Sequence, residues 1–454
     1  MPRLVIAGTA SGVGKTTVAT GLMAALHRRG HTVAAAKVGP DFIDPGYHGL
    51  ATGRPGRNLD AWISGADAIA PLAVRAADRA DILVVEGVMG LFDGAADDGA
   101  TASTAHVAKL LRAPVVLVVD AKAMSGSVAA LVHGFATFDP DLTIGGVILN
   151  RVGSDGHETM LREALAPTGV PVLGVLRRDD AFTWRDRHLG LVPVVEQRAE
   201  VERSLDRLAD AVLRGCDGHG LVTLARTAPP LDTAPLRTPE PQGRATIAVA
   251  GGPAFAFVYP DNVEALEAAG AEVVAFDPLR DEHVPPEADG VYVGGGFPEV
   301  FAPALADNLP LLEDIRTHDR AMWAECGGLL WLCNSLDGHR LAGVVDADAR
   351  MTDKLTLGYR RATATTGNPL AAQGDELRGH EFHYSTVQPA GDALDLASRF
   401  GTGPAGFASP TLLASYLHLH LGANPEPAER FVRLLSERRC AREAGESPVR
   451  FPPL

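Results

Sequence analysis

Two short segments of the chain carry residue types that could do chemistry, and the first is a glycine-rich run. Residues 8–17 read GTASGVGKTT, directly after the apolar run LVIA and before a stretch with helical periodicity. Glycines let backbone N–H groups turn toward an anion, and the start of a helix adds a favourable dipole. The segment therefore predicts a phosphate-binding loop, with one residue more than the usual spacing between its outer glycines.

Within this loop, backbone and side chains have different predicted tasks. We expect Lys15 to reach the outer phosphates of ATP and Thr16 to hold Mg²⁺. The predicted ATP-binding set is Thr9, Gly12, Val13, Gly14, Lys15, Thr16 and Thr17. A glycine-rich turn without a ligand is the alternative, and the adjoining strand and helix disfavour it. The loop alone does not name a reaction, because motors, partition ATPases, kinases and ligases share it.

The second chemical segment centres on a cysteine. Residues 321–332 read AMWAECGGLLWL, which predicts a strand, a sharp turn at Cys326 and a helix. The start of a helix lowers the pKa of a thiol, and the N–H after the nucleophile can stabilise an oxyanion. We therefore predict a nucleophilic cysteine, with oxyanion donors from Gly327 and from Gly295 in the run GGGFPE. The other cysteines are interpreted as ordinary buried thiols.

A cysteine nucleophile needs a base, and the C-terminal segment SYLHLH offers two histidines. His418 is the predicted base, and His420 is its candidate orienting neighbour on the same side of a predicted strand. His380 and His383 in GHEFHYS suggest a metal pair. Without a third ligand at fitting spacing, we favour a structural or substrate-contact role for them.

Carboxylates near strand ends complete the candidate residues. Glu86 ends the apolar run ILVVE, where ligands bind in doubly wound sheets, and a charge there needs a partner. Asp41, Asp44 and Asp60 follow the second apolar run, and Asp93 lies in the loop after Glu86. Taken singly, each aspartate is better explained as a turn or helix cap. As a set, they favour a metal and substrate site.

Two series of apolar runs supply the elements that would position these residues. From residue 4 to about residue 176, strand-like runs alternate with helix-patterned stretches, which is typical of a doubly wound, mostly parallel α/β sheet. A second βα series follows a segment rich in proline and threonine. We predict a P-loop domain over 1–224, a linker over 225–243, a second α/β domain over 244–440 and a tail over 441–454.

Composition disfavours several classes of protein. The chain has 454 residues, of which 46% are hydrophobic and 21% charged, and this fits globular domains. The net charge of −15 argues against nucleic-acid binding, and the apolar runs are too short to span a membrane. No secretory signal is seen, and four irregularly spaced cysteines fit free thiols, so we expect a cytoplasmic protein. The sequence leaves open whether the chain forms a homodimer.

Ordered motifs along nearly the whole chain resemble those of the cobyrinate or hydrogenobyrinate a,c-diamide synthases of cobalamin biosynthesis. They include KVGPDFIDP, VVEGVMGLFDG, STAHVAKLL, RHLGLVP, GGGFPE, AECGGL, RMTDKLTLGYR and SYLHLH. The N-terminal half also resembles dethiobiotin synthetase, which shares the lengthened loop. The C-terminal half resembles class I glutamine amidotransferases.

This resemblance implies a reaction and a role for each candidate residue. Glutamine would be hydrolysed at Cys326, with His418 raising its nucleophilicity, and the ammonia would pass to the N-terminal site. There ATP would phosphorylate the a and c side-chain carboxylates of a corrinoid, because an acyl phosphate has a better leaving group than a carboxylate. By the same resemblance, Thr16, Asp60 and Glu86 match Mg²⁺-binding positions, while Asp41, Asp44 and Asp93 match positions near the macrocycle and the transferred phosphoryl group.

The same motifs contain one departure from the related glutaminases, and they leave competing functions open. His420 stands where many class I glutaminases have the acid of their triad, so we expect a Cys-His dyad. Another tetrapyrrole amidase, such as a sirohydrochlorin a,c-diamide synthase, stays open, whereas KVGPDFIDP and RMTDKLTLGYR disfavour a cobyric acid synthase. From a different class, a partition-type ATPase acting through protein partners also stays open, although it has no use for a cysteine elbow.

Overall fold

The computed structural model describes residues 1–95, 99–178, 186–187, 190–191, 194 and 198–445. It divides into two units, Met1–Leu236 and Arg237–Leu454. The predicted linker, residues 225–243, lies across this division, and its first two residues form the end of a helix. Most of the motif RHLGLVP and the last nine residues of the predicted tail, 446–454, lie outside the described residues. No helix in the described ranges has both the length and the apolar character needed to span a bilayer.

A parallel sheet forms the centre of the N-terminal unit. In the described residues it has seven strands, in the order β3-β2-β4-β1-β5-β6-β7. They are β1 (Arg3–Gly8), β2 (Val33–Val38), β3 (Arg57–Leu59), β4 (Ile82–Glu86), β5 (Val115–Asp120), β6 (Ile144–Val152) and β7 (Val172–Arg177). The chain fills one side of β1 before it crosses to β5 on the other side. The loop after β1 therefore lies at a switch point, where ligands bind in doubly wound sheets.

Helices connect these strands. They are α1 (Lys15–Arg28), α2 (Ile43–Thr52), α3 (Ala66–Ala76), α4 (Thr104–Leu110), α5 (Ser127–Phe138), α6 (Asp155–Leu165), α7 (Arg198–Gly215) and α8 (Gly218–Arg226), with a 3-10 turn at Ala166–Thr168. Two short strands, β8 (Asp186–Arg187) and β9 (Gly190–Leu191), pair with each other. The strands β1, β2 and β4 are buried along their whole length, which explains their unbroken apolar sequences.

Arg3 is a buried charge that ties the beginning of the N-terminal unit to its end. Its guanidinium donates hydrogen bonds to the carbonyls of Met1 at 2.9 Å, Leu111 at 2.6 Å and Pro229 at 2.6 Å. Buried charges are tolerated when their donors are satisfied in this way. Because Pro229 comes after α8, the segment that follows this helix is fastened to the N-terminal unit.

The C-terminal unit contains two sheets in its described part. The first has the order β11-β10-β12-β13-β21-β20 and is parallel apart from the last pair. Its strands are β10 (Ala245–Ala250), β11 (Ala271–Phe276), β12 (Gly290–Val293), β13 (Ala321–Glu325), β20 (Phe407–Ser409) and β21 (Leu412–Ser415). Helices α9 (Pro260–Ala268), α10 (Ala302–Asp307), α11 (Leu309–Thr317), α12 (Gly327–Leu332) and α13 (Glu426–Glu443) accompany it. The α/β class predicted for both halves is confirmed.

The second sheet is mostly antiparallel and was not predicted. Its strands are β14 (Cys333–Leu336), β15 (His339–Arg340), β16 (Val345–Ala364), β17 (Glu376–Gln388), β18 (Leu394–Ser398), β19 (Gly401–Ala405) and β22 (His418–Leu419). Buried and exposed residues alternate along much of β16 and β17, but many buried positions hold small or polar residues. Alternation of this kind is hard to distinguish from a loop by hydropathy. The sheet matters because β17 and β22 pair beside His418.

Candidate active sites

The loop between β1 and α1 has the backbone conformation that a phosphate cradle needs. Gly12 and Gly14 have φ angles of 76° and 96°, in the left-handed region that favours glycine. A Cβ on Gly14 would lie 2.2 Å from Nδ2 of Asn150 on β6. That amide donates a hydrogen bond to the carbonyl of Val13 at 2.9 Å. Asn150, which is distant in the chain, therefore fixes the conformation of the loop.

Replacing Gly14 by alanine is expected to destabilise the protein more than the same change at Gly12. Alanine is strained at both positions, but only at Gly14 does its Cβ also meet Asn150, while nothing lies within 4 Å at Gly12. We expect a loss of about 1 kcal/mol for Gly12→Ala and about 3 kcal/mol for Gly14→Ala. Midpoints of urea unfolding would measure both, and equal losses would contradict the close approach of Asn150.

Lys15 begins α1 and folds back into the phosphate loop. Its Nζ donates a hydrogen bond to the carbonyl of Ala10 at 3.1 Å, and 7% of the residue is exposed. Burial and the neighbouring Lys37 lower the pKa of Lys15 to about 8, against the opposite pull of nearby carboxylates. The ammonium therefore lies in the loop with its charge only partly compensated, which suits it to an arriving anion.

Behind the loop, charged side chains surround Glu86, which is fully buried at the end of β4. Its Oε1 accepts hydrogen bonds from Thr16 Oγ1 at 2.6 Å and from Lys37 Nζ at 2.8 Å. Its Oε2 lies 2.6 Å from Nε2 of His48. Asp44 reaches the same groups, with Oδ2 at 2.6 Å from Lys37 Nζ and 3.3 Å from Thr16 Oγ1. The structure therefore brings together Thr16, Asp44 and Glu86.

Charge pairing determines the ionisation of this cluster. Burial by itself would raise the pKa of Glu86, but Lys37 and His48 outweigh it and hold the pKa well below its usual range. Burial would likewise lower the pKa of Lys37, but Asp44 and Glu86 raise it above its usual value. Lys37 is therefore a resident cation beside the carboxylate of Glu86 and beside Asp44, whose pKa burial and Asp41 raise well above its usual value. Lys37 was not predicted as a site residue.

The other predicted aspartates act as turn caps, as each was expected to do when taken singly. The backbone N–H of Ile43 donates to Asp41 at 2.8 Å, and that of Gly90 donates to Asp93 at 2.8 Å. The N–H groups of Trp62 and Ile63 donate to Asp60 at 2.8 and 2.9 Å. Asp41 and Asp93 are also close enough to act on the pKa values of Lys37 and Lys15 respectively. Asp60 follows β3, so β2 separates its strand from that of Glu86.

Oxygen atoms of the kind that Mg²⁺ prefers converge at Thr16. Its hydroxyl lies 2.6 Å from a carboxylate oxygen of Glu86 and 3.3 Å from one of Asp44. The described residues contain no group of three or more His, Cys, Asp or Glu side chains arranged to hold a metal ion. The Thr16 hydroxyl beside the carboxylates of Glu86 and Asp44 fits Mg²⁺, which is usually held by one or two protein carboxylates together with phosphate oxygens and water.

Cys326 lies on a strained turn between β13 and α12. Its backbone has φ 48° and ψ −101°, a conformation that non-glycine residues rarely adopt. Its N–H donates to the carbonyl of Ser415 at 2.8 Å, which anchors the turn on β21. The strand, turn and helix predicted around this cysteine are confirmed. The geometry is that of a nucleophile elbow.

His418 is buried beside Cys326 and Glu325. Burial by itself would lower the pKa of His418, but its interactions with Cys326, including a hydrogen bond, and with Glu325 outweigh burial and raise the pKa to about 10. The imidazole also stacks on His380, with ring centroids 5.0 Å apart. The structure therefore brings the predicted nucleophile and base together, with the imidazole of His418 favoured in its charged form.

Gly295, the predicted oxyanion donor, has its N–H engaged elsewhere in the structure. Its N–H donates to the carbonyl of Phe257 at 3.1 Å, so it is already used. The N–H of Gly296 has no hydrogen-bond partner in the part of the chain that the structure describes, and it lies 3.0 Å from where a Cβ on Gly327 would stand. Gly327 begins α12, so its own N–H has no partner within the helix. We therefore take the N–H groups of Gly296 and Gly327 as the candidate oxyanion donors.

His420 does not orient His418, contrary to the prediction. Its ring packs edge-on against Tyr259 at a centroid distance of 4.8 Å, and its Nε2 lies 3.7 Å from Oδ2 of Asp261. The strand β22 is only two residues long and ends before His420, so the predicted alignment of the two histidines is absent. The Nδ1 side of His418 is instead occupied by Glu325, which was not predicted as a site residue.

Two family descriptions match the two halves of the chain. The CobQ/CobB/MinD/ParA nucleotide binding domain matches residues 4–192. The CobB/CobQ-like glutamine amidotransferase domain matches residues 246–426. The first contains the phosphate loop and the Glu86 cluster, and the second contains Cys326 and His418.

Several known proteins are similar to this chain over almost its whole length. Hydrogenobyrinate a,c-diamide synthase of Streptomyces coelicolor is 50% identical, covering 95% of this chain and 97% of that protein. The protein of the same name from Thermobifida fusca is 47% identical, with 97% and 98% covered. Cobyrinate a,c-diamide synthase of Synechococcus sp. is 41% identical, with 95% and 97% covered. With identities this high over nearly full lengths, the chain belongs to the family of hydrogenobyrinate and cobyrinate a,c-diamide synthases.

Proposed function

We propose that the chain is a glutamine-hydrolysing, ATP-dependent amidoligase that converts the a and c side-chain carboxylates of hydrogenobyrinate or cobyrinate to amides. The observation that carries this proposal is the presence of two chemical centres on one chain. One is the Cys326–His418 pair on its elbow, and the other is the phosphate loop with the Glu86 cluster. A partition-type ATPase would use only the second. We place the enzyme in the cytoplasm, because all four cysteines are free thiols and the reaction consumes ATP.

At the cysteine centre, the thiolate of Cys326 attacks the side-chain amide carbon of glutamine and forms a sulfur–carbon bond. The carbonyl oxygen becomes an oxyanion, which the N–H groups of Gly296 and Gly327 stabilise. The imidazolium of His418 gives its proton to the amide nitrogen, so the carbon–nitrogen bond breaks and ammonia leaves. Water then attacks the thioester with His418 as base, which releases glutamate and restores the cysteine.

At the phosphate loop, ATP activates the acceptor for this ammonia. A carboxylate oxygen of the corrinoid attacks the γ-phosphorus, the bond to ADP breaks, and an acyl phosphate forms. Ammonia attacks the acyl carbon and phosphate leaves, which completes one amide. Loop N–H groups and Lys15 hold the nucleotide phosphates. A second round on the other carboxylate gives the a,c-diamide.

The proposed Mg²⁺ ligands are Thr16, Asp60 and Glu86. A second set is proposed to lie near the substrate carboxylate and the transferred phosphoryl group, and it consists of Asp41, Asp44 and Asp93. The hydrogen bond of 2.6 Å between Thr16 and Glu86 supports their part of this assignment. When bound, the ion would neutralise charge on the phosphates. Lys37 and His48 hold both oxygens of Glu86 in place, so we assign them the task of orienting it.

ATP binding is expected to take up a proton above neutral pH. Because the pKa of free Lys15 is lowered to about 8, about half of the molecules carry a neutral lysine at pH 8. Bound phosphates raise that pKa, so binding takes up about half a proton at pH 8 and about a tenth at pH 7. Isothermal titration calorimetry in buffers of different ionisation enthalpy measures this uptake. Equal apparent enthalpies in all buffers at pH 8 would contradict it.

Product analysis by mass spectrometry tests the proposed reaction and its substrate. The protein would be incubated with ATP, Mg²⁺, glutamine and, in parallel, metal-free hydrogenobyrinate, cobalt-containing cobyrinate and sirohydrochlorin. Two successive carboxyl-to-amide mass changes on a corrinoid are expected. The same changes on sirohydrochlorin alone would select the alternative amidase. ATP hydrolysis without amidation of any substrate would contradict the ligase proposal and favour the partner-driven ATPase.

A further inference from the structure

Glu325, the residue before the nucleophile, is a buried carboxylate whose oxygens accept only neutral donors. It is 1% exposed, and no lysine or arginine in the described residues forms an ion pair with it. Its Oε1 accepts the N–H of Leu419 at 2.9 Å, and its Oε2 accepts the phenolic O–H of Tyr292 at 2.9 Å. A buried carboxylate needs a positive charge nearby to remain ionised.

The imidazolium of His418 supplies that positive charge. Its Nδ1 lies 3.7 Å from Oε2 of Glu325. Leu419 directly follows His418, so the same carboxylate fixes the backbone of this segment and faces the ring. With Nδ1 facing Glu325, the other ring nitrogen remains for the thiol of Cys326. The strained elbow therefore allows two adjacent residues to reach opposite sides of one imidazole.

Neighbouring side chains keep the carboxylate in this position. Asn262 donates to the hydroxyl of Tyr292 at 3.3 Å and to the carbonyl of Leu419 at 2.8 Å, and it accepts the N–H of Leu421 at 2.8 Å. The ring of Tyr292 stacks on Trp323 with centroids 3.9 Å apart. Rotating the carboxylate away would break several buried hydrogen bonds, so its orientation is fixed in advance.

We propose that Glu325 is the acid of a Cys326–His418–Glu325 triad, in which it positions the imidazole of His418 and stabilises its charged form. The acid comes from the residue before the nucleophile, instead of from the position two residues after the histidine, where this chain has His420. Glu325 is a positioning residue, since it acts through His418. This role rests on the glutaminase activity proposed above.

Other titratable groups near His418 do not replace Glu325. Burial holds the pKa of His380 well below its usual range, so this stacked ring stays neutral. Glu381 is already paired with Arg360, at 2.7 Å. The groups that face or act on His418 are Cys326, Glu325, His380, His383 and Glu381, while His420 and Arg360 act on the neighbouring His380. Among them, Glu325 is the carboxylate whose charge is not shared with an arginine.

The pH dependence of glutamine hydrolysis in the full-length enzyme, with ATP and the corrinoid present, tests this role. Glu325→Gln keeps the shape of the side chain and removes its charge. We expect kcat/KM to fall about 100-fold. We also expect the alkaline limb of the profile, where the imidazolium loses its proton, to move down by about one pH unit or more. A merely structural role would not move this limb.

Two further variants give the comparison. His420→Asn removes a neighbouring imidazole that does not touch Nδ1, so its alkaline limb should stay in place. Glu325→Asp keeps the charge on a shorter side chain and should show a smaller loss and a smaller shift in the same direction. Ammonia-dependent amidation, measured for every variant, reports whether the ligase half is intact.

The possible results distinguish failure of the triad proposal from failure of the proposed glutaminase activity. An unmoved limb in Glu325→Gln, whether or not the rate falls, or a downward shift in His420→Asn, would overturn the triad. If Glu325→Gln does not fold, an unmoved limb in Glu325→Asp would overturn it equally. If the wild-type enzyme does not hydrolyse glutamine at all, the proposed function fails instead.

Discussion

Replacing Cys326 by serine is expected to abolish amidation with glutamine while leaving amidation with free ammonia nearly unchanged. A serine hydroxyl beside an imidazolium does not ionise as a thiol does, so the nucleophile is lost. We expect the glutamine-dependent rate to fall by about 10⁴-fold or more. ATP and the substrate carboxylate are assigned to residues of the N-terminal unit, so free ammonia should bypass the defect. Mass spectrometry of the corrinoid product with each nitrogen source measures both rates.

Cys440→Ser is the matched control, because this cysteine, which was expected to be buried, is an exposed thiol on α13. It should retain both activities. Loss of the ammonia-dependent rate in Cys326→Ser would show that the elbow matters to ligation or to folding as a whole. Retention of the glutamine-dependent rate would show that Cys326 is not the nucleophile.

Replacing Lys15 by methionine is expected to abolish amidation with both nitrogen sources. The loop would lose the ammonium that meets the outer phosphates, which costs about 10³-fold in rate. The fold should survive, because the described hydrogen bond of Lys15 joins it only to Ala10 and burial already disfavours its charge. Release of phosphate from ATP and formation of the amide product are the two measurements.

Lys109→Met provides the control for loss of a lysine. Lys109 is on α4, where it pairs with Asp139 at 2.7 Å, and it should tolerate the change with activity intact. Glutamine hydrolysis by Lys15→Met shows whether the cysteine centre still functions without ATP-driven ligation. Undiminished ammonia-dependent amidation in Lys15→Met would remove this loop from the reaction.

The sequence predicts those parts of the two centres whose residues are neighbours in the chain. A phosphate loop and a cysteine elbow each need a strand, a turn and a helix in immediate succession, so their motifs contain nearly all of their geometry. Gly295 shows the limit of this reasoning. Gly295 forms a backbone bridge with Phe257, more than 35 positions earlier in the chain, and this bridge determines which N–H groups of the three glycines are free. The local sequence does not show that this bridge forms.

The residues that were missed owe their roles to distant partners. Lys37 and Glu325 each stand as a lone charge in an otherwise apolar strand, and a buried strand tolerates such a charge only when it is paired. That signal could have marked both as site residues, but it could not name Glu86 or His418 as their partners. His48 and Asn150 carry no comparable signal. Similarly, the apolar runs predict the strands of the parallel sheets but not their order.

The contact of Arg3 with Pro229 bears on how the two halves should be separated for study. A truncated N-terminal protein ending at residue 224 would cut α8 short and deprive a buried guanidinium of one of its carbonyl acceptors. On the other side, Arg237 pairs with Glu429 at 2.8 Å, so this arginine belongs with the C-terminal fold. Expression of the separate halves should therefore divide the gene between the codons for Leu236 and Arg237.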